Sequence, residues 1–180
     1  MKRTVLTFGV ISGAVSSLMM LATLPFVDEI GFDRGAIVGY TAIVLSFLLV
    51  FFGIRSYRDN VGGGAISLGR GLAIGLLITL ISSAFYVATW EVIYFKFMPD
   101  FADKFTAYTI AQARAKGATP EAIAAKEREG REFKTMYDNP LNNIALTFTE
   151  PLPVGLLVTV VSAAVLRKKP ARGVSAPRTS

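Results

Sequence analysis

The chain has 180 residues, of which 52% are hydrophobic and only 18% are charged, and its mean hydropathy is +0.50. Soluble domains carry about a quarter charged residues, so this composition favours a membrane protein. Cysteine and histidine are both absent, which excludes disulfides, Cys/His metal sites and catalysis by a thiol or an imidazole. We therefore expect a protein that is not an enzyme and that uses no metal or cofactor.

The first two uncharged stretches each have the length of a membrane span. Residues 5–27 and 35–54 contain no charged side chain, and about 20 apolar residues in a helix cross the hydrocarbon core of a bilayer. Lys2 and Arg3 also fit the start of a signal peptide, but the apolar stretch is longer than a signal core and lacks an A-x-A-like cleavage site. We predict spans at about 5–27 and 36–54, joined by an acidic linker.

Two further stretches complete a predicted four-helix bundle. A third span is predicted at about 68–95, and a fourth at about 144–166 contains a single charged residue, Glu150. Pro151 and Pro153 follow that acid, so the helix either starts near Glu150 or restarts there. We expect residues 1–169 to form one membrane domain. The remaining residues, 170–180, are rich in Pro, Ser and Arg and are predicted to be a disordered cytoplasmic tail.

The charged residues are distributed by membrane side. The N-terminus, residues 55–70 and the C-terminal tail hold ten Lys and Arg against one acid, Asp59, whereas the linker 28–34 holds three acids and one base. Because short basic segments stay on the cytoplasmic side, we expect an inner-membrane protein with both termini in the cytoplasm. This topology accounts for the net charge of +6, so we expect no nucleic-acid binding.

Residues 97–138 are the one sizeable segment expected outside the membrane. Aromatic side chains recur in it at spacings of four, four and three, which indicates a stripe along a helix that continues from the third span: Phe97, Phe101, Phe105 and Tyr108. Gly117 is a predicted helix end, and Thr119-Pro120 a predicted start. We therefore predict an extracytoplasmic helical hairpin, whose stripe is either its own core or the surface that binds a protein partner.

Several short motifs identify a family. They are F-x-G-I-R-x-Y-R-D at 51–59, W-E-x-x-Y at 90–94, Y-D-N-P-L at 137–141 and T-F-x-E-P-x-P-V-G-L at 147–156. With these pieces the chain resembles the bacterial four-span membrane family catalogued as domain of unknown function 4199. The resemblance implies a four-helix inner-membrane protein, and it implies no reaction, ligand or partner.

Two carboxylates lie inside predicted spans. Glu91, flanked by Trp90 and Tyr94, and Glu150 lie about 7 and 10 Å inward from the outer ends of their spans, at about 1.5 Å per residue. They would have similar depth in adjacent antiparallel helices, and acids so placed are candidates for binding protons, cations or amines. The structural alternative is that both lie at the interface, where they are solvated or cap the start of the fourth span.

Small residues at a spacing of four indicate close helix packing. The pairs considered for this role are Gly9 with Gly13 and Gly71 with Gly75. Such pairs also join copies of one chain, so a homo-oligomer remains open.

A basic and aromatic cluster follows the second span. It consists of Arg55, Tyr57 and Arg58. These residues either bind anionic lipid headgroups or only anchor the topology.

Two functions fit this sequence. The first is a non-enzymatic scaffold or accessory subunit that sits in the lipid bilayer and meets a protein partner through the hairpin. The second is a small transporter or channel-like oligomer that uses Glu91 and Glu150. We favour the first, because four spans without an inverted repeat are a thin basis for alternating access.

Overall fold

The computed structural model describes residues 1–168, which form seven α-helices joined by short connections. The helices are α1 Lys2–Thr23, α2 Val27–Asn60, α3 Leu68–Val92, α4 Phe101–Ala115, α5 Pro120–Tyr137, α6 Pro140–Phe148 and α7 Pro151–Leu166. A 3-10 turn, Leu24–Phe26, connects α1 to α2, and a π-helical turn, Ile93–Phe97, follows α3. No β-strand occurs in this range, so the all-α prediction is confirmed. The predicted tail, 170–180, lies outside the described residues.

Three helical stretches are long and apolar enough to cross a membrane: Lys2–Asn60, Leu68–Phe97 and Pro140–Leu166. The first of them contains both α1 and α2. Large apolar side chains point outward from these stretches, and Leu18, Leu157 and Val165 are all about two-thirds exposed. Such a surface suits contact with lipid chains rather than with water.

Helices α1 and α2 run antiparallel. The Ser12 hydroxyl donates a hydrogen bond of 2.8 Å to the Ser46 carbonyl, while Phe8, one turn earlier in α1, lies against Gly53, two turns later in α2. The loop after α2 is tied to the end of α7, because Ile66 and Lys168 exchange backbone hydrogen bonds of 2.9 and 3.1 Å. The start of α1, the end of α2, the start of α3 and the end of α7 therefore share one end of the bundle.

Glycines allow α3 to approach two neighbours closely. A Cβ atom added to Gly13 of α1 would lie only 2.6 Å from the Phe85 side chain, and Gly9 meets Ile81 in the same way. A Cβ atom added to Gly75 would lie 2.6 Å from the side chain of Thr159 in α7, and Gly71 lies against Ala163 of the same helix. A side chain at these positions would force the helices apart.

The predicted continuation of the third span into the aromatic stripe is wrong. The helix ends in the π-helical turn, in which the Met98 amide bonds to the Ile93 carbonyl at 2.9 Å, and Met98 then leaves helical geometry with φ −135° and ψ 53°. Pro99 has no amide hydrogen to continue the helix. Phe97 consequently falls outside the stripe and is 61% exposed.

Helices α4 and α5 pack against each other. Gly117 has a φ angle of +76°, a conformation that favours glycine. Its amide donates a hydrogen bond to the Arg114 carbonyl, and the Ala118 amide donates to the Ala113 carbonyl. The Thr119 hydroxyl accepts from the third residue beyond it at the start of α5. Both helix boundaries were predicted from the sequence and are confirmed. The Phe105 and Phe133 rings, 5.6 Å apart, contact each other across this pair.

The predicted fourth span is broken in the middle. Helix α6 ends at Phe148 and α7 begins at Pro151, so Glu150 lies in the break. Of the two alternatives drawn from the prolines, the restart is the one observed. Glu150 itself keeps helical dihedral angles, with φ −74° and ψ −56°, so the prolines interrupt the hydrogen bonds of the helix at this point.

Candidate functional site

A cavity of about 750 Å³ lies between the end of α1, the first half of α2, the C-terminal part of α3, and α4 and α5. Its wall is mostly apolar and aromatic, and includes Met20, Phe32, Ile43, Trp90 and Phe133. The volume falls within the range of about 300–1,000 Å³ that is typical of small-molecule sites. A few polar side chains interrupt the apolar wall, as in most ligand sites.

A carboxylate and a phenol meet in this wall. The Tyr86 hydroxyl of α3 donates a hydrogen bond of 2.8 Å to Glu150 Oε2, and both side chains are partly buried. Glu150 does not cap α7 through its side chain, and Pro151 and Pro153 remove two of the amide hydrogens at the start of this helix. The helix-capping alternative for Glu150 is therefore wrong. The second oxygen, Oε1, has no hydrogen-bond partner within residues 1–168 and is not one of the fully enclosed polar atoms.

Trp90 lies beside this pair. It follows Tyr86 by four residues, which puts the two side chains about 40° apart around α3, and both line the cavity. The indole packs edge to face on Phe101 of α4, with ring centres 5.0 Å apart at 83°. The chain has no other tryptophan, so the fluorescence of Trp90 reports on this cavity alone.

Glu91 and Tyr94 do not contribute to the cavity lining. Glu91 is about 140° around the helix from Tyr86, and its Oε1 is enclosed without a hydrogen-bond partner in the described part of the chain. Tyr94 is buried and donates a hydrogen bond of 2.9 Å to Asp138. Of the four residues proposed for the site, the structure brings Trp90 and Glu150 to the cavity, and no hydrogen bond joins Glu91 to Glu150.

Tyr137 completes the inner wall. Its ring contacts Phe133 at 4.3 Å between centres, and the side chain is buried at the end of α5. Burial, followed by the charges of Glu150 and Glu91, raises the pKa of Tyr137 to about 12. The phenol therefore stays neutral at physiological pH.

The predicted linker 28–34 forms the cavity mouth. Helix α2 already starts at Val27 and is kinked at Gly31, where φ is +69° and ψ is 170°. The kink turns Phe32 into the aromatic stripe, with ring centres 5.4 Å from Phe105 and 5.0 Å from Tyr108. Sequence reasoning missed this wall, although an aromatic residue in an otherwise acidic linker was a signal for it.

Polar contacts fasten the mouth to α4. The Tyr108 hydroxyl donates to Asp33, and this bond raises the pKa of Tyr108. Lys104 lies 3.1 Å from Asp100 and 3.7 Å from Asp28, and these carboxylates raise the pKa of the Lys104 ammonium.

The arginine cluster lies at the opposite end of the bundle. Arg58 donates to Asp59 at 2.7 Å, which lowers the pKa of that carboxyl group, and Arg55 lies 3.6 Å from it. Tyr57 is buried in the apolar core, in the cluster that also contains Val5 and Leu166. Of the two alternatives for this cluster, headgroup binding therefore does not extend to Tyr57, because successive residues of a helix point about 100° apart.

Within residues 1–168, no group of three or more acidic side chains is arranged to hold a metal ion. The fold is that of a helical protein with membrane-type helices and an aromatic cavity beside one carboxylate. The chain belongs to the family described as "Protein of unknown function (DUF4199)", whose model matches residues 7–168. This membership confirms the resemblance seen in the motifs. No curated protein and no solved structure matches the chain.

Proposed function

We propose that this chain is a non-enzymatic protein of the bacterial inner membrane that binds an apolar small molecule in the cavity beside Glu150. The observation that carries the proposal is the 750 Å³ aromatic cavity with the Tyr86–Glu150 pair in its wall. No histidine or cysteine is present, and the polar groups at the cavity, a carboxylate and phenols, suit binding and orientation rather than bond cleavage.

The proposed topology has four spans, formed by α1, α2, α3 and α6 with α7. Both termini are cytoplasmic, because the shared end of the bundle carries the basic segments around Arg3, Arg58 and Lys168. Helices α4 and α5 then form an extracytoplasmic hairpin, and the cavity lies in the outer half of the protein. A ligand would reach it from the outer leaflet or from outside the cell, past the mouth at 28–34.

This function differs from both functions considered from the sequence, a scaffold and a transporter or channel-like oligomer that uses Glu91 and Glu150. It shares with the second the use of Glu150. Phe101 and Phe105 of the aromatic stripe pack on Phe32, Phe133 and Tyr137 within the chain, so the stripe gives no specific support to a partner at the hairpin. A protein partner at the hairpin and a homo-oligomer stay predictions without a structural observation in their favour. Transport of the ligand would need a second conformation and is not required by a binding role.

The test uses Trp90 as the reporter. Protein in lipid nanodiscs is titrated with a dodecyl alcohol brominated on its chain, because bromine quenches indole emission on contact. We expect saturable quenching. Gly39→Leu should remove the saturable component, since Gly39 lines the cavity and a Cβ atom added there meets no atom within 4 Å, which leaves room for a new side chain beside the cavity.

The matched control is Gly69→Leu. Gly69 also has free space around an added Cβ, but it lies at the start of α3, outside the cavity lining. It should behave as wild type. Quenching that rises linearly with probe in the bilayer, and equally in all three proteins, would mean that the cavity does not bind the probe.

A further inference from the structure

We infer that the cavity selects a molecule that joins a hydrophobic body to one cationic amine, and that Glu150 is the residue that binds the amine. This inference rests on the proposed function and names its ligand class. It goes further because it predicts a preference among ligands with identical hydrophobic bodies.

The first observation is a carboxylate without a counter-ion. Among the described acids that line the cavity, Asp28 has Lys104 within 3.7 Å and Asp33 accepts hydrogen bonds from Tyr108 and Gln112 at the exposed mouth. Glu150, deeper in the wall, has no Lys or Arg within 4 Å in residues 1–168. A carboxylate in an apolar environment is stabilised by a cation of its own, which a ligand can provide.

The second observation is the arrangement of acceptors. The Tyr86 hydroxyl donates its single proton to Glu150 Oε2, so the hydrogen-bonding capacity that remains in this pair, which lines the cavity, is that of Oε1 and of the lone pairs on the Tyr86 oxygen. Both are acceptors. An ammonium group carries up to three donors and no acceptor, which matches this arrangement, whereas a ligand carboxylate would face two like groups.

The third observation is the aromatic surround. Trp90, Tyr137 and Phe101 line the same cavity as the carboxylate, and the faces of aromatic rings attract ammonium groups within about 6 Å. Two cavity-lining cations, Arg34 and Lys104, could favour an anion instead. Arg34 is exposed at the mouth, where water and salt screen its charge, and Lys104 is paired with Asp100 and Asp28.

Such an amine has two sources. It can belong to a bilayer lipid with an amine headgroup, or to a free lipophilic amine that partitions into the membrane. The chemistry at Glu150 is the same for both, so the experiment separates them by the composition of the bilayer.

The experiment compares three brominated dodecyl probes that differ only in the headgroup: amine, alcohol and carboxylate. Trp90 quenching is measured in nanodiscs of phosphatidylglycerol, with headgroup-dependent partitioning measured separately in empty nanodiscs. We expect the amine to bind at least tenfold more tightly than the alcohol, and the carboxylate most weakly. Glu150→Gln should remove the advantage of the amine over the alcohol, because the amide has no negative charge to offer the ammonium group.

The matched control is Glu91→Gln, which removes a neighbouring carboxylate that does not line the cavity. It should keep the full amine preference. If amine and alcohol bind equally well to wild type, or if Glu150→Gln retains the preference, the inference is overturned while the binding function stands. If the carboxylate binds best, Arg34 rather than Glu150 sets the selectivity. If no probe saturates, the proposed function itself fails.

The source is tested in a second set of nanodiscs that contain phosphatidylethanolamine. Weaker amine binding there, with quenching by a brominated phosphatidylethanolamine that Glu150→Gln abolishes, would identify the lipid headgroup as the occupant. Amine affinity that does not change with this lipid would identify a free lipophilic amine.

Discussion

The Tyr86 hydroxyl donates a hydrogen bond of 2.8 Å to Glu150 Oε2 and so joins the C-terminal part of α3 to the break between α6 and α7. Sixty-four residues separate the two in sequence. The bond occupies one carboxylate oxygen, and the other has no hydrogen-bond partner within residues 1–168.

The first prediction concerns this bond. Tyr86→Phe should lower the free energy of unfolding by about 0.5–2 kcal/mol, the range for buried hydrogen bonds in membrane proteins and to charged groups. Thermal unfolding of the detergent-solubilised protein measures the change, which corresponds to a drop of a few degrees in Tm. Tyr40→Phe is the control, because Tyr40 is 53% exposed. The same Tm for wild type and Tyr86→Phe would mean that the bond adds nothing to stability.

The second prediction concerns Phe32, which packs on Phe101, Phe105 and Tyr108. Phe32→Ala should loosen α4 and α5 from the bundle and speed their cleavage by trypsin, because the local opening energy falls when apolar contacts are lost. The exposed Phe97 provides the control, and Phe97→Ala should be cut at the wild-type rate. Equal cleavage rates for wild type and the two variants would show that Phe32 does not hold α4 and α5 against the bundle.

The third prediction follows from the raised pKa of Tyr137, about 12 against an unfolded value of about 10. The folded state keeps the proton longer than the unfolded state, so this contribution to stability is present below pH 10 and is lost between pH 10 and 12. The free energy of unfolding is measured by chemical denaturation at intervals from pH 9 to 12. As the pH rises, it should fall less steeply for Tyr137→Phe than for wild type. Parallel curves would mean that Tyr137 titrates alike in both states.

The parts of the fold that depend on local chemistry could be predicted from the sequence. Gly117 indicated the end of α4 and Thr119 the start of α5, and the prolines after Glu150 indicated the break. These residues could be interpreted because turn and cap residues act within a few positions of themselves. The direction of Tyr57 and the partner of Glu150 could not be predicted. Membrane helices are apolar on every side, so only packing against neighbours decides which face turns inward.

The fourth prediction concerns topology. Single cysteines introduced into this cysteine-free chain should react with an impermeant thiol reagent from outside at Asp33→Cys and Lys126→Cys. Arg58→Cys should react only after the membrane is permeabilised, because Arg58 belongs to the basic end of the bundle. Labelling of Arg58→Cys in intact cells would contradict the four-span topology.

The most direct test of the binding function is native mass spectrometry of protein extracted from its own membrane under conditions that retain bound lipids. Wild type and Gly69→Leu should carry a ligand of defined mass at near-stoichiometric occupancy, whereas Gly39→Leu, which adds a side chain to the cavity lining, should lose it. Equal occupancy in Gly39→Leu and wild type, or no bound species in any of the three proteins, would contradict the proposal that the cavity beside Glu150 holds a ligand.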